Sequence, residues 1–316
     1  MQNIDPILLL QPALSTAIVV GAIFYARRRG GFRGIMLLAG AMAYWIAIAA
    51  KVVVSYAASG AILSEFGGTS VEYALFLGLQ TVVFEVGLAY LVSLLMFRRK
   101  NLTWGDAVPM GLSLSFWENG VLLGALPIVE LSSIYLVLAG GGGAASTVYG
   151  VLSSASPGYF YAPSVLLPGV LLGTLERLSS TLGHASWGIL CVLSATSGRK
   201  RYLAYALPMG LLDSLVPFAS GRIYLFEGAV FVLSVLFVSV AARSYNSERR
   251  RQREGAAKVG SPGAESVSRP FGPTPSPAPP WARVPRSSGF APFPERTGAR
   301  RSACRHPARS AGRPAG

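Results

Sequence analysis

Long apolar stretches separated by short polar ones dominate the pattern of this 316-residue chain. A helix needs about 20 mostly apolar residues to cross the hydrocarbon core of a bilayer, where the backbone must satisfy its own hydrogen bonds. The pattern therefore predicts an all-α fold, a polytopic transmembrane helix bundle with about seven spans. The predicted spans are Ile7–Tyr25, Ile35–Ala58, Val71–Phe97, Ala107–Leu126, Leu171–Ser194, Leu203–Phe218 and Ile223–Ala242.

The charges between these stretches predict how the bundle is oriented. Basic clusters at 27–29, 98–100, 199–201 and 249–251 all fall on one side if there are seven spans. Four acidic residues fall on the other side: Glu65, Glu72, Glu130 and Glu227. Because Lys and Arg are enriched in cytoplasmic loops, we expect a cell-membrane protein with its N-terminus outside and its C-terminus in the cytoplasm.

The region between the fourth and fifth predicted spans, Pro127–Ser164, has two interpretations. Its glycine, serine and proline content favours an external loop. Its apolar piece, Leu131–Leu138, is too short to span, so it would lie at the interface or belong to an eighth segment that re-enters the membrane.

Composition divides the chain into a transmembrane domain, 1–244, and a tail, 245–316. Charged residues make up 13% of the whole chain, about half the share in soluble domains. The net charge of +14 lies mainly in the tail, which is rich in Pro, Ser and Arg and poor in large apolar residues. We therefore expect the tail to be disordered, with anionic lipid as a possible partner and no specific nucleic acid.

Ionisable residues inside the predicted spans are the strongest functional signal. A charge at the centre of a spanning helix costs roughly 2.5–3.5 kcal/mol, so such residues usually face the bundle interior. Each also has a structural alternative, such as snorkelling for Lys51, an interfacial pair for Glu176 with Arg177, or a helix–helix hydrogen bond for His184. The candidates are Lys51, Glu85, Glu118, Asn119, Glu176, Arg177, His184 and Asp213.

These residues and their order resemble the YhfC family of intramembrane peptidases, which is related to the CPBP/Abi and PrsW-type glutamic membrane proteases. The resemblance covers roughly Val71–Pro217. It is carried first by Leu175-Glu176-Arg177-Leu178, His184, Arg199-Lys200-Arg201-Tyr202 and Leu211-Leu212-Asp213. Upstream it continues through Phe84-Glu85-Val86, Arg98-Arg99-Lys100, Trp104-Gly105-Asp106, Gly111-Leu112 and Glu118.

The resemblance implies that a membrane-buried carboxylate activates water for attack on a peptide bond. By resemblance Glu85 would be the general base, Glu118 and Glu176 supporting carboxyls, and His184 an oxyanion donor or a ligand. The supporting residues would be Arg177, Asn119 and Asp213.

Three positions depart from the family pattern. Val86, Leu114 and Met209 stand where a second acid and two histidines are expected, so His184 is the only histidine of the apolar body. A site with several histidine ligands is excluded, and we expect neither a metal nor another cofactor.

The sequence thus leaves several functions open. The first is an intramembrane endopeptidase, or a catalytically inactive relative, that binds a membrane protein or peptide substrate. The second is a transporter or a proton- or cation-coupled carrier that uses the same buried carboxylates. A structural assembly subunit is a third possibility.

Overall fold

The structure is a computed structural model that describes residues 3–29, 31–219 and 221–260. These residues form helices and short connections, with no strand among them. The helices are α1 (Pro6–Arg28), α2 (Ile35–Phe66), α3 (Val71–Arg98), α4 (Trp104–Gly140), α5 (Gly142–Ala155), α6 (Pro163–Ser197), α7 (Lys200–Gly210) and α8 (Ile223–Gly260). Two 3-10 segments, Pro157–Phe160 and Leu211–Phe218, connect helices near the middle and the end of this order.

Six of these helices are long and apolar enough to cross a membrane, namely α1, α2, α3, α4, α6 and α8. Their outward faces carry large apolar side chains; Val53, Val83, Leu136 and Leu171 are each more than half exposed. Such faces suit lipid rather than water, because large exposed apolar surfaces are rare in soluble monomers. The protein is therefore a multi-pass membrane protein built as an all-α bundle.

Small residues allow the central helices to pack closely. A Cβ atom added at Gly188 of α6 would lie 2.5 Å from the Cα atom of Gly111 in α4. A Cβ atom at Gly40 of α2 would lie 2.6 Å from the Cβ atom of Ser113, also in α4. Without a hydrophobic driving force between helices in lipid, such close backbone approach supplies the packing energy. It fixes α4 against α2 and α6, the helices that carry much of the candidate site.

Contacts bring the four basic clusters to one end of the bundle. Arg33 pairs with Asp106 and donates to the carbonyl of Asn101, which joins the first basic connection to the second. The rings of Trp104 and Tyr245 lie 5.6 Å apart, which places the later part of α8 at this end. The connection between α6 and α7 reaches the same end, because the guanidinium of Arg199 lies 2.6 Å from the carboxylate of Glu248 in α8.

The segment 200–218 leads the chain away from this basic end. α7 rises about 16 Å and the 3-10 segment after it about as much again, close to the thickness of a hydrocarbon core. The 3-10 segment packs against the first half of α3, where Gly78 lies directly against Ser214. The predicted sixth span therefore folds as two short helical pieces of different type. The count of seven spans and the predicted orientation remain predictions.

The region 127–164 differs from the predicted external loop. Here α4 continues without interruption past Pro127 to Gly140, and α5 follows after Gly141, whose φ of 69° suits glycine. Leu131 and Leu138 form a small buried cluster with Ile4 near the start of the chain. Helical hydrogen bonding and this cluster explain why a Gly- and Ser-rich stretch is ordered.

The last helix also extends beyond the predicted domain boundary at 244. α8 continues to Gly260, and Glu248 within this extension is buried. The first part of the predicted tail is therefore helical. The rest of that tail, 261–316, lies outside the described residues, and so does any contact it makes with lipid.

Candidate functional site

Glu85 and Glu118 both lie on π-helical turns inside long helices. Residues Thr81–Val86 of α3 and Phe116–Ala125 of α4 form these turns. A π turn adds a residue to the helical repeat, which shifts the direction of the side chains within it, and such turns are frequent at functional sites. Here the two turns present the two carboxylates to the same space inside the bundle.

His184 of α6 lies between these carboxylates. Its Nε2 atom is 2.5 Å from Oε2 of Glu118 and 3.1 Å from Oε2 of Glu85. Its Nδ1 atom is 2.9 Å from the backbone carbonyl oxygen of Ser180. A carbonyl oxygen can only accept, so Nδ1 carries a hydrogen. If both carboxylates are ionised, Nε2 must carry a hydrogen too; otherwise one carboxyl must donate to it. The three side chains therefore hold one shared proton.

Lys51 of α2 continues the cluster on the side of Glu85. Its Nζ atom lies 2.6 Å from Oε1 of Glu85, 2.8 Å from Oγ1 of Thr81 and 3.3 Å from Oδ2 of Asp213. Thr81 donates a short hydrogen bond to Asp213. Asp213 thus joins the site through Lys51 and Thr81. Lys51 does not snorkel to a membrane surface, because it serves as the counter-ion of two carboxylates.

Arg177 continues the cluster on the side of Glu118. Its Nη1 atom is 3.6 Å from Oε1 of Glu118 and 3.4 Å from Oδ1 of Asn119, and its Nη2 atom pairs closely with Glu176. Ser180 Oγ donates to Glu118 at 3.0 Å and accepts from the amide of Asn119 at 3.1 Å. All of the sequence-predicted site residues therefore belong to one contiguous network.

The charged members of this network alternate in sign along its length. In order they are Asp213, Lys51, Glu85, His184, Glu118, Arg177 and Glu176. The middle of this series is buried, with side-chain exposures of 8% for Glu85 and 5% for His184. The ends are open, at 44% for Asp213 and 46% for Glu176. An alternating series satisfies each buried charge with neighbours of opposite sign.

The network lines a cavity of about 330 Å³ among the helices. Tyr44 and Trp187 form part of its wall, and both rings lie close to the imidazole of His184, at 6.3 and 4.2 Å between ring centres. This volume is at the lower end of the range for small-molecule sites. The cavity can thus hold a few waters or a short piece of a chain beside the shared proton.

The three departures from the family pattern lie in packed positions. Val86, Leu114 and Met209 are all buried in the main apolar core, and Met209 also lines the cavity. None of them offers a nitrogen or oxygen side-chain atom, so the acid–base groups nearest His184 are the two glutamates.

Metal binding is the feature on which the geometry and the sequence-based expectation differ most. Glu85, Glu118 and His184 each offer one ligand atom, and these atoms lie within 4.8 Å of one another. Two carboxylates and an imidazole are suitable ligands for a divalent ion. The same carboxylates are already paired with Lys51 and Arg177, however, and these fixed cations would oppose an added ion. The expected absence of a metal therefore stays a prediction.

Glu227 is a site residue that the sequence analysis does not select. It lies on the second turn of α8, is 4% exposed and lines the cavity. Its position could have identified it, because it lies four residues after the start of the predicted span Ile223–Ala242. Thr81 and Ser180 were also missed, since a hydroxyl in an apolar helix is common and carries little information.

Comparisons of the chain with protein-family models, curated proteins and solved structures give no match.

Proposed function

We propose that this protein is an intramembrane peptidase of glutamic type, similar to the YhfC family, that acts on a membrane protein or peptide in the cell membrane. The observation that carries the proposal is the contact of His184 with both Glu85 and Glu118 inside a cavity among membrane-spanning helices. Hydrolysis needs a base that takes a proton from water and an acid that returns it to the leaving nitrogen. This arrangement holds both groups in contact.

In the proposed reaction Glu85 accepts a proton from a water molecule in the cavity. The water oxygen attacks the carbonyl carbon of the peptide, and the C–N bond breaks as His184 delivers its proton to the nitrogen. The negative oxygen formed on attack is stabilised by the cationic N–H groups nearby, those of Lys51 and Arg177. Glu118 and Ser180 hold His184 in position, and Asn119 and Glu176 hold Arg177.

A non-cleaving relative is the second form of the same proposal. Leu114 and Met209 are apolar where the family pattern has histidines, and Met209 lines the cavity. In that form the protein binds transmembrane segments and regulates or chaperones them without cutting. Glu85→Gln would then leave binding intact, because an amide keeps the size and hydrogen-bonding capacity of the carboxyl.

The test is a comparison of membranes from cells that express the wild type, Glu85→Gln, Glu118→Gln or Glu130→Gln. Glu130 is the matched control, since it is an exposed carboxylate on the same helix as Glu118. Mass spectrometry of new peptide termini should find cleavage within or beside membrane segments for the wild type and Glu130→Gln only. Cross-linked membrane segments without new termini would identify the non-cleaving form. If the wild type gives neither new termini nor cross-linked membrane segments, the proposal is wrong.

Proton or cation transfer is the second candidate function, favoured by the alternating series from Asp213 to Glu176. A proton can pass between the adjacent groups Glu85, His184 and Glu118, while Arg177 stays protonated and serves as a fixed counter-charge. The test uses the protein in liposomes that contain a pH-sensitive dye and carry an imposed potential. Proton flux that is lost in His184→Gln and kept in Glu130→Gln would support transport over hydrolysis.

A further inference from the structure

Among the described residues, Glu227 is a buried carboxyl group with no hydrogen-bond or ion-pair partner. It is 4% exposed, and its Oε2 atom has no hydrogen-bond partner. Within 3–29, 31–219 and 221–260, no residue forms an ion pair with it. Burial of an ionised carboxylate is costly unless a cation or donors compensate it. Such a group facing a cavity is compensated either by a proton or by a cation that enters the cavity.

The side chains around the cavity also carry more negative than positive charge. Five carboxyl groups line it, while Lys51, Arg177 and His184 are the lining side chains that can carry positive charge. Even with His184 fully protonated, the carboxylates exceed the cations by two. Lys51 and Arg177 are each engaged with two carboxylates already, and Glu227 is not among those carboxylates. The carboxyls are Glu85, Glu118, Glu176, Asp213 and Glu227.

The walls near Glu227 indicate what kind of cation fits. On α8 its neighbours Phe226 and Val230 also line the cavity, as do Leu212 and Val216 from the segment before α8. These four side chains give no oxygen ligands to a bare metal ion, which prefers several. They do suit the hydrocarbon stem of an alkylammonium or guanidinium group, whose charged end would reach the carboxylate.

We infer that Glu227 binds a cationic alkyl group that enters the cavity, such as the side chain of a Lys or Arg. In terms of the proposed peptidase, on which this part of the inference rests, Glu227 would select substrates with a basic residue beside the membrane segment. Glu176 lines the same cavity from α6 and adds to its negative charge.

The direct test measures binding of n-butylammonium to the full chain in detergent by ligand-observed NMR. Wild type and Glu72→Gln should bind it, since Glu72 is an exposed carboxylate outside the cavity. Glu227→Gln should weaken binding about tenfold or more, the usual effect of removing a charged hydrogen-bond partner. Neutral n-butanol should show no difference among these proteins. Glu227→Met serves as a second variant if Glu227→Gln is not monodisperse.

Three results would overturn the inference. The first is equal binding of butylammonium in the wild type and Glu227→Gln. The second is an absence of binding in the wild type, with Glu227→Gln as stable or more stable, which would make Glu227 a protonated structural group. The third is displacement of butylammonium by sodium at equal concentration, which would identify an inorganic cation site instead.

A second measurement separates this inference from the proposed function. Membrane peptides that differ only by Lys or Gln beside the apolar segment are compared for cleavage or capture. The preference for Lys should disappear in Glu227→Gln and persist in Glu72→Gln. If butylammonium binding depends on Glu227 but no peptide is cleaved or captured, the peptidase proposal is wrong and the cation site stands.

Discussion

The Nε2 atom of His184 lies 2.5 Å from Oε2 of Glu118. The same nitrogen is 3.1 Å from Glu85, while Nδ1 donates to the backbone of Ser180. Two carboxyl groups around one ring nitrogen need a proton among the three, carried either by Nε2 or by one of the carboxyls. The proposed chemistry, whether hydrolysis or proton transfer, depends on this shared proton.

The first prediction concerns the protonation of His184. In the double variant Glu85→Gln/Glu118→Gln, both partners of Nε2 are amides that can donate a hydrogen bond. Nε2 should therefore lose its hydrogen and accept, while Nδ1 keeps its hydrogen. The chain has two histidines, and His306→Gln leaves His184 as the single reporter. Its ¹⁵N NMR spectrum should show Nε2 moving toward the shift of an unprotonated ring nitrogen in the double variant. An unchanged spectrum would show that the carboxylates do not hold the proton there.

The second prediction concerns Lys51 and Glu85. Breaking a buried ion pair leaves an uncompensated charge, which typically costs about 3–5 kcal/mol. Lys51→Met should therefore lower the free energy of unfolding in detergent by roughly 3 kcal/mol. Lys51→Met/Glu85→Gln should recover part of it, because no buried charge is left at position 85 while the half-exposed Asp213 still lacks its cation. Lys100→Met, at an exposed position beyond α3, is the control. A double variant no more stable than the single one would argue against the pair.

The third prediction is that the purified protein holds no stoichiometric zinc, despite the three ligand atoms around His184. Lys51 and Arg177 already neutralise the carboxylates that would bind the ion. Elemental analysis should find zinc well below one per chain, and a chelator should leave the melting temperature unchanged. One zinc that resists dialysis in the wild type and is lost in His184→Gln would contradict this and make the site a metal centre.

Particular residues show how far the sequence could predict this arrangement. Hydropathy identified the apolar helices, and the cost of charges in lipid singled out Glu85, Glu118 and His184. Glu227 is not among the candidates because a charge near the end of a span is as typical of a loop as of a buried site. The π turns at Thr81–Val86 and Phe116–Ala125 were not predictable, since they depend on hydrogen-bond register set by packing. The same holds for the helical region after Pro127, whose composition alone resembles a loop.

The fourth prediction concerns orientation. Single cysteines at Glu65→Cys and Arg99→Cys, both exposed positions, are introduced with Cys304→Ser. Cys191 stays, because it is buried and its thiol contacts the backbone of Val86. A membrane-impermeant maleimide should label Glu65→Cys in intact cells and Arg99→Cys only after permeabilisation. The reverse pattern would invert the bundle, and labelling of both in intact cells would remove the predicted topology altogether.

The fifth prediction concerns where the folded part of α8 ends. Glu248 accepts from Arg199 at 2.6 Å and from the hydroxyl of Tyr202 at 3.2 Å, which ties the later part of α8 to the start of α7 and the residue before it. A chain truncated after Glu254 keeps these bonds and should be as stable as the full chain, because the sequence beyond it has too little apolar surface to pack. A chain truncated after Asn246 loses them and leaves two donors without their acceptor. Its free energy of unfolding should fall by roughly 1–3 kcal/mol, and Glu248→Gln should reproduce part of the loss while the exposed control Glu254→Gln does not.

Equal stability of the two truncated chains would show that the Glu248 contacts add nothing. A large loss on truncation after Glu254 would instead show that the later residues contribute to the fold.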